Sequence, residues 1–180
     1  MKPKSPDLHR WDVAAFVSSG ATFSSHCAVA SLPRLADGEP QGLAKVSWAV
    51  HGESRERPGS APLMWMRLEA QCGVVRTCQR CLEPVVLSLV VDHRLRFVKG
   101  EAAAAQLDAA GDEDVLALEP TIDLLDLLED ELLLALPVIP LHEVCSPPAS
   151  IPTEAPGVVD ASAPNPFAIL ATLKPSGGKH

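Results

Sequence analysis

Two long runs of alternating residues, joined by a short turn that carries two cysteines, constrain this chain more than anything else in it. In the first run Met64, Met66, Leu68, Ala70, Cys72 and Val74 share one parity, and Trp65, Arg67, Glu69 and Gln71 share the other. In the second, Val85, Leu87, Leu89, Val91, His93, Leu95 and Phe97 alternate with Ser88, Asp92, Arg94 and Arg96. A period of two places successive side chains on opposite faces of a strand, so each run reads as a strand with one buried side. Joined at Cys78-Gln79-Arg80-Cys81-Leu82-Glu83-Pro84, they should pair antiparallel, leaving one face wet. Parity makes Cys72 a packed core thiol and His93 a satisfied structural histidine rather than a ligand.

The flanking chain is read in the same way. Ala44, Val46, Trp48 and Val50 alternate with Lys45, Ser47 and His51, giving a third strand. Between it and the first run, Glu53 to Pro62 reads as an exposed loop. Residues 1–10 should be loose, Trp11–Val17 a short first strand, and Ser25–Ala36 a short helix with Pro33 at its start or in a loop. Downstream, Glu101 to Leu107 reads as a short helix or mobile excursion, and Val115–Leu118 as an edge strand. Asp123 is then placed to cap a helix running to Pro137, its leucines 124 or 125, 128 and 132 recurring at helical spacing. Asp126, Glu129, Asp130 and Glu131 are most simply its solvated face. The fold class is α+β: a curved antiparallel sheet of five or six strands with one long acidic helix across it, plus a short C-terminal helix. The domain spans 1–145, a proline-rich linker 146–164, and a docking helix 165–174 opened by Asn165-Pro166.

Composition narrows the function. No apolar segment follows the basic N-terminus and none approaches the roughly 20 residues of a membrane span, so a reducing, cytoplasmic setting without membrane contact is expected. There, an odd count of five cysteines points to metal binding before disulfides. The net charge of −8 argues against a simple nucleic-acid binder, but its distribution is uneven: residues 100–173 hold 14 acidic residues and no Lys or Arg. Arg67, Arg76, Arg80, Arg94 and Arg96 surround the turn, with Arg67, Arg94 and Arg96 able to form one basic strip on the wet face if the register permits. No phosphate-binding glycine loop, nucleophile signature or metalloprotease helix is present, so neither an enzyme nor a small-molecule substrate is expected.

His142 and Cys145 form a second pair of soft ligands, with sixty residues between Cys81 and His142. Cys78, Cys81, His142 and Cys145 would together make a closed tetrahedral zinc set. The alternative is a reduced pair of thiols in a tight turn with His142 exposed.

Three segments carry a family likeness: the knuckle at 78–84, Ile-Asp-Leu-Leu-Asp-Leu-Leu-Glu-Asp-Glu-Leu-Leu-Leu-Ala-Leu-Pro-Val-Ile-Pro-Leu-His at 122–142, and Asn-Pro-Phe-Ala-Ile-Leu-Ala-Thr-Leu-Lys at 165–174. With these in order, the chain resembles the YceD-like family of large ribosomal RNA subunit accumulation proteins. The resemblance implies a non-enzymatic role in the synthesis, processing or stability of 23S ribosomal RNA, hence in large-subunit assembly. The partner would be ribosomal RNA or a basic large-subunit protein. The competing function is a zinc-stapled adaptor whose C-terminal peptide recruits a partner.

Overall fold

The alternating segments pair into an open five-stranded sheet, seen in a computed structural model that describes residues 6–38 and 44–146. The strands are β1 (Thr22–Ala28), β2 (Lys45–Arg57), β3 (Ser60–Thr77), β4 (Pro84–Val98) and β5 (Asp114–Ala117), adjacent in chain order. The β3–β4 ribbon carries the register expected of a hairpin, with Thr77 opposite Pro84 and Met64 opposite Phe97. β1 to β4 are antiparallel, whereas β5 runs parallel to β4. The sheet is therefore mixed, not wholly antiparallel as expected. Helix α3 (Glu101–Ala110) lies between β4 and β5 in sequence, and such a crossover is what lets a following strand enter in the same direction. Asp108 fixes the return by accepting the Val115 N–H at 3.0 Å.

Four expectations upstream are corrected. Trp11–Val17 is not a strand: Val13–Ser18 forms helix α1, started by Asp12, whose side chain accepts the Ala15 N–H at 2.8 Å. Only Trp11 makes a β-bridge, to Ile122. Ser25–Ala36 is not one helix, because its first residues complete β1; a single 3-10 turn (Val29–Ser31) and the short helix α2 (Pro33–Ala36) follow. Proline does stand at the helix start. The exposed loop assigned to 53–62 is mostly strand, with β2 and β3 extending to a tight turn at Pro58-Gly59, where Gly59 takes φ +73°. Residues 7–10 are tied down through Leu8, whose carbonyl accepts the Leu124 N–H at 2.8 Å, and His9, which bonds Asp123 at 2.7 Å.

The core lies on one face of the sheet. Val46, Trp48, Val50, Met66, Leu68, Ala70, Cys72, Val74, Leu89, Val91, Leu95 and Phe97 point into it, as their parity requires. Over them pack α1, through Val13, Phe16 and Val17, and helix α4 (Leu124–Leu134), through Leu124, Leu128 and Leu132. Burying each of these leucines stabilises the fold by about 2 kcal/mol. Asp123 caps α4 by accepting the Leu125 and Asp126 N–H groups at 3.0 Å. At Gly52 the layers approach closely: a methyl there would sit 2.9 Å from the Phe16 carbonyl oxygen and the Val17 Cα. Its missing side chain is what lets α1 lie on β2.

The acidic residues of α4 do not all face solvent. Glu129 is 2% exposed. Its Oε1 accepts the Arg34 and Leu35 N–H groups at 2.6 and 3.0 Å, and its Oε2 accepts Arg34 Nε at 2.9 Å. The guanidinium also reaches Asp126 and Asp130 at 3.0 and 2.5 Å. An α4 carboxylate thus satisfies backbone donors of α2 that a four-residue helix cannot satisfy itself. Among the described residues no helix is long and apolar enough to cross a membrane. The proposed linker beyond Ser146 and the proposed helix at 165–174 lie outside the described residues.

Candidate functional site

Two clusters of functional side chains sit at different places on the β3–β4 ribbon. The first is its turn. The Cys78 carbonyl accepts the Leu82 N–H, and the Cys78 N–H donates to the Glu83 carbonyl, both at 2.9 Å, closing the bend. The chain after α4 returns to it: the Pro140 carbonyl accepts the Gln79 N–H at 2.9 Å. This brings all four expected soft ligands together. The ligand atoms of Cys78, Cys81, His142 and Cys145 lie within 4.8 Å of one another. Cys78 Sγ is 3.8 Å from Cys145 Sγ, and Cys81 Sγ is 3.3 Å from His142 Nδ1. Cys78 is fully buried, the other three half-buried. Burial works against a thiolate at Cys78, but the backbone N–H groups of Cys81, His142 and Arg80 outweigh it and lower its pKa to about 5. Cys145 is pushed up by burial and by the two neighbouring thiols.

The second cluster lies on the open face. β3 and β4 place Arg67 directly opposite Arg94, Glu69 opposite Asp92, and Trp65 opposite Arg96. Like charges face each other across the ladder, and the diagonals resolve them. Arg67 Nε reaches Asp92 at 2.6 Å and its terminal nitrogen reaches Glu69 at 3.0 Å. Arg94 donates to Glu53 at 2.8 Å, and Arg96 to Glu113 at 3.0 Å. Arg67 holds Asp92 below the usual carboxylate range, and Arg55 followed by Arg94 does so for Glu53. Arg94 also stacks over the Trp65 ring at 4.3 Å, with Arg96 at 5.8 Å.

Of the five arginines singled out in the sequence, three therefore meet on one face. Arg76 has the opposite parity and turns to the helical side, donating to the Leu35 carbonyl at 2.7 Å. Arg80 is exposed in the turn, 3.5 Å from the Cys145 carbonyl. Sequence reasoning did not anticipate the carboxylates woven between the three, because cross-strand partners depend on register. It also did not find that His93 bridges two acids, pairing with Asp114 and lying 2.7 Å from Glu131.

Comparison with known proteins gives one consistent result. The family model described as "Large ribosomal RNA subunit accumulation protein YceD" matches residues 66–174. The large ribosomal RNA subunit accumulation protein YceD of Haemophilus influenzae is 35% identical over 115 residues, which cover 62% of this chain and 66% of that protein. The chain thus spans just under two thirds of the length of that relative. No solved structure matches.

Proposed function

The chain belongs to the YceD family of large ribosomal RNA subunit accumulation proteins, and on that premise we propose that it supports large-subunit assembly without catalysing a reaction. It acts in the cytoplasm on the synthesis, processing or stability of 23S ribosomal RNA. The observation that carries a contact role is the meeting of Arg67, Arg94 and Arg96 around Trp65 on one face of the sheet, while the acidic helix α4 packs on the other face. Three guanidinium groups at this spacing suit phosphate oxygens. Each already holds a carboxylate, so RNA must exchange those partners, and binding should be weak and steeply salt-dependent. Arg80, exposed at the far end of the ribbon, and the partly buried Arg76 belong to the same proposal as secondary contacts.

The test is a salt-titrated binding assay on 23S precursor RNA with an Arg94→Ala/Arg96→Ala double variant, its fold verified by circular dichroism. Affinity should fall and the salt slope should shrink by about two. Unchanged affinity removes the RNA contact. Depletion in cells should in parallel accumulate large-subunit precursors on a gradient.

A second reading has its own support. Glu53, Glu69, Asp92 and Glu113 share the face with the arginines. Leu82, Val86, Val138 and Val144, in the segments that meet at the turn, are 65 to 98% exposed. Such mixed acidic and apolar surface suits a basic large-subunit protein held as a chaperone or adaptor would hold it. Crosslinking that captures a ribosomal protein, together with unchanged RNA affinity in the double variant, favours this reading.

A further inference from the structure

We propose that Cys78, Cys81, His142 and Cys145 hold one zinc ion in a closed structural site that staples the β3–β4 turn to the chain leaving α4. The donor set is three thiols and one imidazole, a set used by closed tetrahedral zinc sites. With bonds of about 2.3 Å to sulfur and 2.0 Å to nitrogen, a tetrahedron has edges of roughly 3.8 Å between sulfurs and 3.5 Å between sulfur and nitrogen. The observed Cys78–Cys145 and Cys81–His142 separations of 3.8 and 3.3 Å lie close to both values. A sulfur–sulfur distance of this size is far outside the roughly 2.05 Å of a disulfide. Cys78, Cys81 and Cys145 form no disulfide.

The groups around the ligands fit the same ion. His142 Nε2 lies 3.1 Å from the Pro84 carbonyl oxygen, which can only accept, so Nε2 carries the proton and Nδ1 presents its lone pair toward the thiols. Fixing the second ring nitrogen on a carbonyl is how proteins orient a metal-ligating histidine. The His142 N–H also points at Cys78 Sγ, at 3.5 Å, as suits a coordinated thiolate. The turn is strained as well. Leu82 holds φ +65°, a left-handed conformation that costs an L residue with a bulky side chain and is comfortable only for glycine. Leu82 is 65% exposed, so its side chain contributes little packing to offset the strain. An ion gripping Cys78 and Cys81 on either side of the bend would hold it.

The metal content of the full chain tests this, with any affinity tag removed and the protein dialysed in reducing, metal-free buffer. About one equivalent of zinc per chain is expected. Exchange with cobalt(II) should give an intense thiolate charge-transfer band and the strong visible absorption of a tetrahedral site. Cys145→Ser and His142→Ala should each lower zinc retention, while Cys27→Ala, outside the cluster, should keep the full equivalent. Less than half an equivalent of zinc, iron in its place, a weak octahedral cobalt spectrum, or full zinc in both ligand variants would overturn the assignment. Should those variants fail to fold, the wild-type zinc content and cobalt spectrum decide it. None of these readouts depends on ribosomal RNA, so the site stands or falls apart from the proposed function.

Discussion

Replacing Glu129 with alanine should cost this protein about 3 kcal/mol, a large share of a typical domain's stability. Truncation leaves the Arg34 and Leu35 N–H groups without their acceptor, and Leu35 is fully buried. One orphaned buried donor costs about 1–3 kcal/mol, and deleting one partner of a buried ion pair about 3–5 kcal/mol. The Arg34 side chain is 47% exposed and keeps Asp126 and Asp130, so solvent screening brings the total to the low end of that range. Glu129→Gln keeps one acceptor oxygen and loses the charge, and should cost about half as much. Urea unfolding at pH 7, followed by the fluorescence of the buried Trp11, Trp48 and Trp65, measures both. The pH dependence gives a second reading. Burial alone would raise the Glu129 pKa, but the Leu35 and Arg34 donors outweigh it and hold the carboxyl below its ordinary value. Its contribution is therefore complete above the unfolded value, about 4.3, and is lost as pH falls through the lower folded value. The gap between wild type and Glu129→Gln should accordingly narrow on acidification. A gap for Glu129→Ala below about 1 kcal/mol at pH 7, or a Gln gap indifferent to acid, would mean that Glu129 is only another surface carboxylate.

Gly52→Ala should destabilise by about 1–3 kcal/mol, because the added methyl meets α1 backbone rather than a movable side chain; a neutral result in urea unfolding would show that α1 shifts freely. His93 should make stability depend on pH near neutrality. Burial opposes its charge, yet Glu131 and then Asp114 raise its pKa above the ordinary imidazole value, so its contribution is full below about pH 6.5 and is lost as pH rises through the folded value. Wild type should lose stability relative to His93→Gln as pH rises above about 6.5, and parallel profiles for the two would refute the bridge.

The central ribbon was legible because every second residue of β3 and β4 is committed to one face, and a half-buried strand leaves no other way to satisfy that pattern. The leucines of α4 were legible for the matching reason at helical spacing. The short elements were not. Six residues from Val13 to Ser18 are too few to separate one period from another, although Asp12 was available as a cap. β1 was obscured because Ser25 interrupts the inward parity of Phe23 and Cys27, and none of its residues is fully buried. The parallel direction of β5 and the burial of Glu129 depend on what another segment brings alongside, which local pattern does not encode. The four soft ligands were identified as a set from residue chemistry, although sixty residues separate the two pairs.

Arg67 and Cys78 stand eleven positions apart on β3 and the turn it enters, roughly 36 Å at about 3.3 Å per residue. The ribbon is thus a ruler as well as a scaffold, keeping its charged lattice and its sulfur-lined tip about one turn of a nucleic-acid duplex apart. Lesions at the two ends share no neighbours, so their effects on folding should simply add, and any ligand that senses both must be long enough to bridge them.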